Sequence, residues 1–265
     1  MPVCYSRPVN TRICRSTPAA LGGAIIAALL CSAAPAQTAP APPASTSTSA
    51  SASASVYQTG AASRDGIGKF YFQREIARVM GFEGAAWLER PDRKSEERPD
   101  LLVNALRLAP GMNVADVGAG SGYLSKLIAP LIAPGKLFAV DVQPQMVELL
   151  KGVAAQPGTR NIVPILGSVD SVNLRNNSID LAVMVDTYHE LSQPYEIVQS
   201  IVSALKSGGR LVFVEYRGED PNVAIKPLHK MTVAQLRLEM KVFSLALEGT
   251  DEQLPIQHIA VFRKL

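Results

Sequence analysis

Val114-Ala115-Asp116-Val117-Gly118-Ala119-Gly120-Ser121-Gly122-Tyr123 decides the architecture of this 265-residue chain. Asn113–Val117 is a short apolar run, and Tyr123–Ile132 carries apolar residues at helical spacing. Gly118, Gly120 and Gly122 fall between them. Glycine tolerates positive φ and lets a ligand come close to the backbone, and the helix that follows offers free N–H groups at its start. A strand, a glycine turn and a helix in that order open a doubly wound α/β fold.

The alternation continues downstream. Leu137–Val140, Ile162–Leu166, Ile179–Val185 and Leu211–Val214 are unbroken apolar runs. Between them, Gln145–Val153 follows Pro144 with helical spacing, and Tyr195–Leu205 places Ile197, Val198, Ile201, Val202 and Leu205 on one helical face. Continuously apolar strands alternating with helices predict a mostly parallel sheet covered on both faces. Thr232 and Gln235 match a capping box that opens a helix to about Met240. Phe243–Leu247 and Ile259–Phe262 follow, joined by a loop too short for a crossover helix, so they predict an antiparallel C-terminal hairpin at the sheet edge. The runs add up to seven strands.

Upstream, composition divides the chain. Residues 1–36 hold Arg7, Arg12 and Arg15 and no acid, and Ala19–Leu30 is a short apolar run before Ala34-Pro35-Ala36. This is the layout of a signal peptide cut before Gln37, and the run is too short to span a bilayer. The expected destination is outside the cytoplasm, in the periplasm, with a membrane anchor as the alternative if the segment is not cleaved. Residues 37–63 carry no charge and are dominated by Ala, Ser, Thr and Pro, the composition of a disordered linker. The folded domain is expected over 64–265, with 64–110 forming N-terminal helices. Phe70, Ile76 and Val79 among charged residues read as helical, Pro99 is placed to start a helix, and Glu89–Arg98 reads as a solvated face. Trp87 either packs these helices or lines a pocket.

Net charge and cysteine exclude several functions. Lys+Arg 26 against Asp+Glu 23 gives +3, and the excess sits in residues 1–36. No basic stripe with interleaved aromatics appears, which argues against a nucleic-acid partner. Cys4, Cys14 and Cys31 all precede the folded domain, so it holds no disulfide, zinc-thiolate site or cysteine nucleophile.

Asp141 ends the second strand at the spacing of a ribose-reading acid. A nicotinamide-dependent reductase is disfavoured on two counts. Tyr123 stands where a dinucleotide fingerprint wants a third small residue, and Asp116 puts a carboxylate beside the loop, repelling a pyrophosphate but suiting a sulfonium or ammonium. The motifs in order resemble class I S-adenosylmethionine-dependent methyltransferases over about 100–217. Asp116 to Gly122 resembles the first motif, Val140-Asp141-Val142 the second, Ile179 to Asp186 the fourth, and Leu205 to Leu211 the turn before the fifth strand. The resemblance implies a Rossmann-like seven-stranded fold and S-adenosyl-L-methionine as cofactor. It implies cofactor contacts from Asp116, Gly118, Gly120, Gly122, Asp141, Val142 and Asp186. The third motif departs from the family: Gly167 is followed by Ser168 rather than an acid, so Ser168 takes the adenine side. Trp87-Leu88-Glu89-Arg90 and Leu254 to His258 resemble features of a bacterial exported subgroup of unknown acceptor.

The acceptor is expected beyond the carboxyl ends of the strands. Tyr188, His189 and Glu190 follow the fourth strand there, and Glu215 follows the fifth. The catalytic candidates are His189, Glu190 and Tyr188. Histidine is the side chain whose titration lies nearest neutrality, which favours His189 as a base, while a structural role for it stays open. His189, His229 and Glu215 lie near converging strand ends, but no close ligand spacing supports a metal, and none is assigned. No G-x-S-x-G elbow for a serine triad occurs. The expected reaction is direct methyl displacement onto a small-molecule acceptor. The rivals are a reductase and a non-catalytic binding module, the latter because the cofactor is a cytosolic metabolite while the N-terminus reads as exported.

Overall fold

The computed structural model describes residues 56–265. The expected signal peptide and residues 37–55 of the expected linker lie outside the described residues.

The central sheet forms as the apolar runs require. Its parallel strands are β4 (Val114–Val117), β5 (Leu137–Asp141), β6 (Ile162–Leu166), β7 (Ile179–Val185) and β8 (Leu205–Tyr216). The tail adds β9 (Leu245–Asp251) and β10 (Gln257–Lys264). Strand order is β6-β5-β4-β7-β8-β10-β9, with β10 antiparallel to both its neighbours. Side chains alternate faces along a strand, so an apolar run feeds two cores. In β7, Ala182 and Met184 face one core while Leu181 and Val183 face the other. Helices α3 (Pro99–Ala105), α4 (Tyr123–Ile132) and α5 (Pro144–Ala154) cover the second face; α6 (Pro194–Ala204) and α7 (Val233–Met240) cover the first. Each fully buried Leu, Ile or Val contributes about 1.5–3 kcal/mol, and both layers depend on that repetition. The α7 cap forms as the sequence predicts: the Thr232 hydroxyl accepts from the Gln235 N–H at 3.0 Å.

The N-terminal region departs from expectation. Residues 66–77 are not helical. Strands β2 (Gly66–Tyr71) and β3 (Arg74–Ala77) form an antiparallel hairpin, and β1 (Tyr57–Thr59) pairs with β2. Strand β1 thus falls inside residues 37–63, the stretch expected as linker. Phe72 and Gln73 both take positive φ, as a tight two-residue hairpin turn needs. Gly66, Gly68 and Tyr71 are buried along β2, whose alternation breaks where its register shifts between Gly66 and Phe70, and the helical spacing of Phe70, Ile76 and Val79 is incidental. Helices do follow, as α1 (Ala85–Leu88), α2 (Arg93–Glu97) and α3.

The hairpin is fastened to the sheet end. The Tyr57 hydroxyl donates to Glu196 Oε2 at 2.5 Å, Lys69 Nζ donates to the Ser192 carbonyl at 2.7 Å, and Arg74 pairs with Glu239 at 2.8 Å. The small sheet thus closes over the carboxyl ends of β4, β5 and β7.

Candidate active site

A cavity of about 590 Å³ opens where the hairpin, α1 and the ends of the parallel strands meet. One end is built by the glycine turn. Gly118 and Gly120 line the cavity with φ of 76° and 53°. A Cβ at Gly118 would lie 2.4 Å from the Thr187 side chain, and one at Gly120 would lie 2.6 Å from Leu88. Asp141 Oδ2 accepts from the Gly120 N–H at 2.9 Å, and Oδ1 accepts from the Gln143 N–H at 2.9 Å. Burial pushes the Asp141 carboxyl upward, and these N–H groups oppose that shift. Each oxygen keeps a further lone pair for a ligand hydroxyl. Val142 and Ser168 stand on the same wall.

Two expected cofactor residues lie beneath the turn instead of on the cavity wall. Asp116 is buried, and its carboxylate accepts from the Ser125 hydroxyl at 2.6 Å. Burial raises its pKa to about 6. Gly122 starts α4, packed toward Leu150 and Val153, where a Cβ would come within 3.0 Å of Leu150. Both shape the turn; neither lines the cavity.

The other end follows β7 and β8. Asp186 turns the chain with φ 48° and lines the cavity. Its Oδ2 accepts from Gln257 Nε2 at 2.6 Å, while Oδ1 is buried without a hydrogen-bond partner. Burial, then Glu215 and Glu97 nearby, push its carboxyl well above the usual range. His189 and Glu190 line the cavity on a short 3-10 turn, Tyr188–Glu190. His189 Nδ1 lies 2.5 Å from Glu215 Oε2, and Glu215 Oε1 accepts from the Tyr188 N–H at 2.9 Å. A carboxylate accepts, so Nδ1 carries the ring proton that faces Glu215. Glu190 Oε2 accepts from the Met80 N–H at 3.1 Å.

Tyr188 needs correction as a catalytic candidate. Its ring is fully buried, its hydroxyl donates to Glu239 at 2.6 Å, and its ring packs edge-on to Phe213. It holds the loop in place from the core side.

Sequence reasoning leaves Trp87 between packing and pocket lining, and does not foresee the burial of Arg93 or the contact of His229 with Glu190. Trp87, nearly half exposed at 46%, lines the cavity. The run Glu89–Arg98 is not a solvated face throughout: Arg93 and Glu97 are buried and paired at 2.8 Å, and Arg93 donates to the Leu88 carbonyl. The i,i+4 spacing of Arg93 and Glu97 was the available signal. His229, on the 3-10 turn Pro227–His229, brings Nδ1 to 3.3 Å from Glu190 Oε1. Glu190, not Glu215, completes the cluster with the two histidines; Glu215 stands behind His189.

Residues 115–213 match the family described as a methyltransferase domain. The protein-L-isoaspartate O-methyltransferase of Pyrococcus horikoshii is 30% identical over 112 residues, which is 42% of this chain and 48% of that protein. An uncharacterized methyltransferase of Bacillus subtilis is 26% identical over 143 residues, 53% of this chain and 56% of that protein. The chain spans about half the length of these curated relatives. A SAM-dependent methyltransferase from Aquifex aeolicus shares the fold with a TM-score of 0.66 at 21% identity, over 71% of this chain and 100% of that one. Over residues 115–213 the chain is thus similar to methyltransferase domains, and its fold is the one seen in the Aquifex aeolicus SAM-dependent methyltransferase.

Proposed function

We propose that the protein transfers a methyl group from S-adenosylmethionine to a small-molecule acceptor. One observation carries this reading: a single cavity joins the glycine turn and Asp141 to a second, mostly apolar end that holds His189 and Glu190. Its volume of about 590 Å³ lies within the range of small-ligand sites. When bound, the cofactor supplies an electrophilic sulfonium methyl for direct displacement. The residues fit such a group. Asp141 can accept from a ribose diol, Val142 offers a flat apolar contact, and the unpartnered Asp186 Oδ1 suits an ammonium.

The acceptor end supplies alignment and exclusion of water. Ile67, Val79, Trp87 and Leu191 wall it with apolar surface. Holding two reactants in line can be worth on the order of 7–11 kcal/mol of barrier. His189 turns Nε2 toward the acceptor, with its orientation fixed by Glu215.

The expected result is that Asp141→Ala weakens S-adenosylmethionine binding at least about tenfold, since charged hydrogen bonds contribute about 1.5–3 kcal/mol each. Calorimetry on the folded variant checks it, and unchanged affinity overturns the assignment of the ribose site. A reductase reading predicts instead that a nicotinamide dinucleotide binds in the same titration.

We also propose export. The three arginines, the short apolar run and Ala34-Pro35-Ala36 support it. Mass spectrometry of protein from its native cell is expected to find Gln37 at the N-terminus; an intact Met1 in the cytosolic fraction refutes it.

A further inference from the structure

At the acceptor end of the cavity, His189, Glu190 and His229 bring three possible ligand atoms together. We propose that His189, Glu190 and His229 form a binding site for a divalent first-row transition metal, with Zn²⁺ the best match to two imidazoles and one carboxylate.

The geometry is close to that of a ligand set. His189, Glu190 and His229 each offer one donor atom, and these atoms all lie within 4.8 Å of one another. Glu190 Oε1 is 3.3 Å from His229 Nδ1 and 3.9 Å from His189 Nε2. A zinc ion bound at about 2.0–2.2 Å in tetrahedral geometry holds its donors about 3.3 Å apart. The Glu190–His229 pair is already there. Closing the site requires the Glu190–His189 pair, at 3.9 Å, to draw together with His229 still in contact with Glu190.

The surroundings of the cluster fit a metal. Metal-bound histidines typically donate their second N–H to a carboxylate, which fixes the tautomer and raises basicity. His189 does this through Nδ1 to the fully buried Glu215. Met80 N–H engages Glu190 Oε2 and leaves Oε1 to the cluster. Among the described residues, no lysine or arginine pairs with Glu190; Lys226, on the cavity wall, is held by Asp65 at 2.8 Å. Among the described residues, neither Glu190 nor Glu215 forms a salt bridge to a lysine or arginine; their charged partners are histidines.

Three protein ligands leave coordination positions open to the cavity. Resting on the function proposed above, the acceptor that uses them carries a hydroxyl. Bound to the ion, that hydroxyl would give up its proton to water in the open cavity more readily than it does when free. His189 then acts on the acceptor through the metal.

The test is calorimetric titration of ZnCl₂ into the full-length, chelator-treated chain with Cys4, Cys14 and Cys31 alkylated, repeated with Co²⁺ and read by its visible absorption. One ion per chain is expected. His229→Ala and Glu190→Gln are each expected to weaken binding at least tenfold and to change the Co²⁺ spectrum. Glu215→Gln is expected to weaken it about 10–100-fold. Circular dichroism checks each fold, and His229→Gln replaces His229→Ala if the latter does not fold. Absence of saturable binding, or binding unaffected by the His229 and Glu190 variants, overturns the site. S-adenosylmethionine binding is titrated in parallel: intact cofactor binding without metal binding overturns this inference alone, and loss of both overturns the functional reading as well.

Discussion

Arg74→Met is expected to destabilise the protein by about 3–5 kcal/mol, the usual cost of leaving one member of a buried ion pair alone. Arg74 meets Glu239 through two bonds, Nε to Oε1 at 2.8 Å and Nη2 to Oε2 at 3.0 Å. Glu239 is fully buried, and its other donors are neutral: Tyr188 Oη at 2.6 Å and Gln235 Nε2 at 2.8 Å. Methionine keeps most of the stem's apolar length, so the loss isolates the charge. Adding Glu239→Gln to that variant removes the stranded carboxylate and is expected to restore a large part of the loss. Chemical denaturation of the two single variants and the double variant checks this. If the double variant is as unstable as Arg74→Met, the stem's packing and not the ion pair is what Arg74 contributes. The pair also matters to the site, because Arg74 Nη1 donates to the His189 carbonyl at 3.3 Å. It ties the β2–β3 hairpin to α7 and to the loop that carries the cavity histidine.

What the sequence made legible was local. The strand–glycine–helix unit at 114–132 reads correctly because each property is set within a few residues: an apolar run, glycines at positive φ, and helical spacing afterward. The C-terminal hairpin reads correctly because a loop of that length allows no crossover. The β2–β3 hairpin was hidden because its turn is Phe72-Gln73, not the Asn-Gly or Asp-Gly that usually marks two left-handed residues. Strand β1 was hidden because Tyr57-Gln58-Thr59 sits at the end of an uncharged stretch and is a strand only through its pairing with β2. The site was legible to the same degree. Asp141, Gly118, Gly120 and Asp186 stand on the cavity wall, as chain position after a strand dictates. His229 reaches Glu190 from a segment about 40 residues away, and Tyr188 turns into the core while its neighbour His189 turns out. Neither fact has a signal in residue spacing; both depend on how the loops pack.

His189→Ala is expected to lower methyl transfer at least about a hundredfold, the lower range for loss of a group that assists proton removal. Cofactor affinity is expected to move less than threefold. The two effects separate because different wall residues are involved: the glycine turn and Asp141 follow β4 and β5, while His189 and Glu190 follow β7. The assay is transfer of labelled methyl to a panel of hydroxylated small molecules, with binding of S-adenosylmethionine measured on the same preparations. Alanine alone is an ambiguous probe. The ring is buried, and its removal strips Glu215 of the Nδ1–H bond, so part of any loss is destabilisation. His189→Asn resolves this, because its amide can donate to Glu215 in place of Nδ1 and has nothing in place of Nε2. An Asn variant that is stable yet still reduced about a hundredfold assigns the loss to Nε2. An Asn variant with restored turnover shows that His189 serves only to fill the core and satisfy Glu215, and the acceptor chemistry then belongs to Glu190 and the apolar wall.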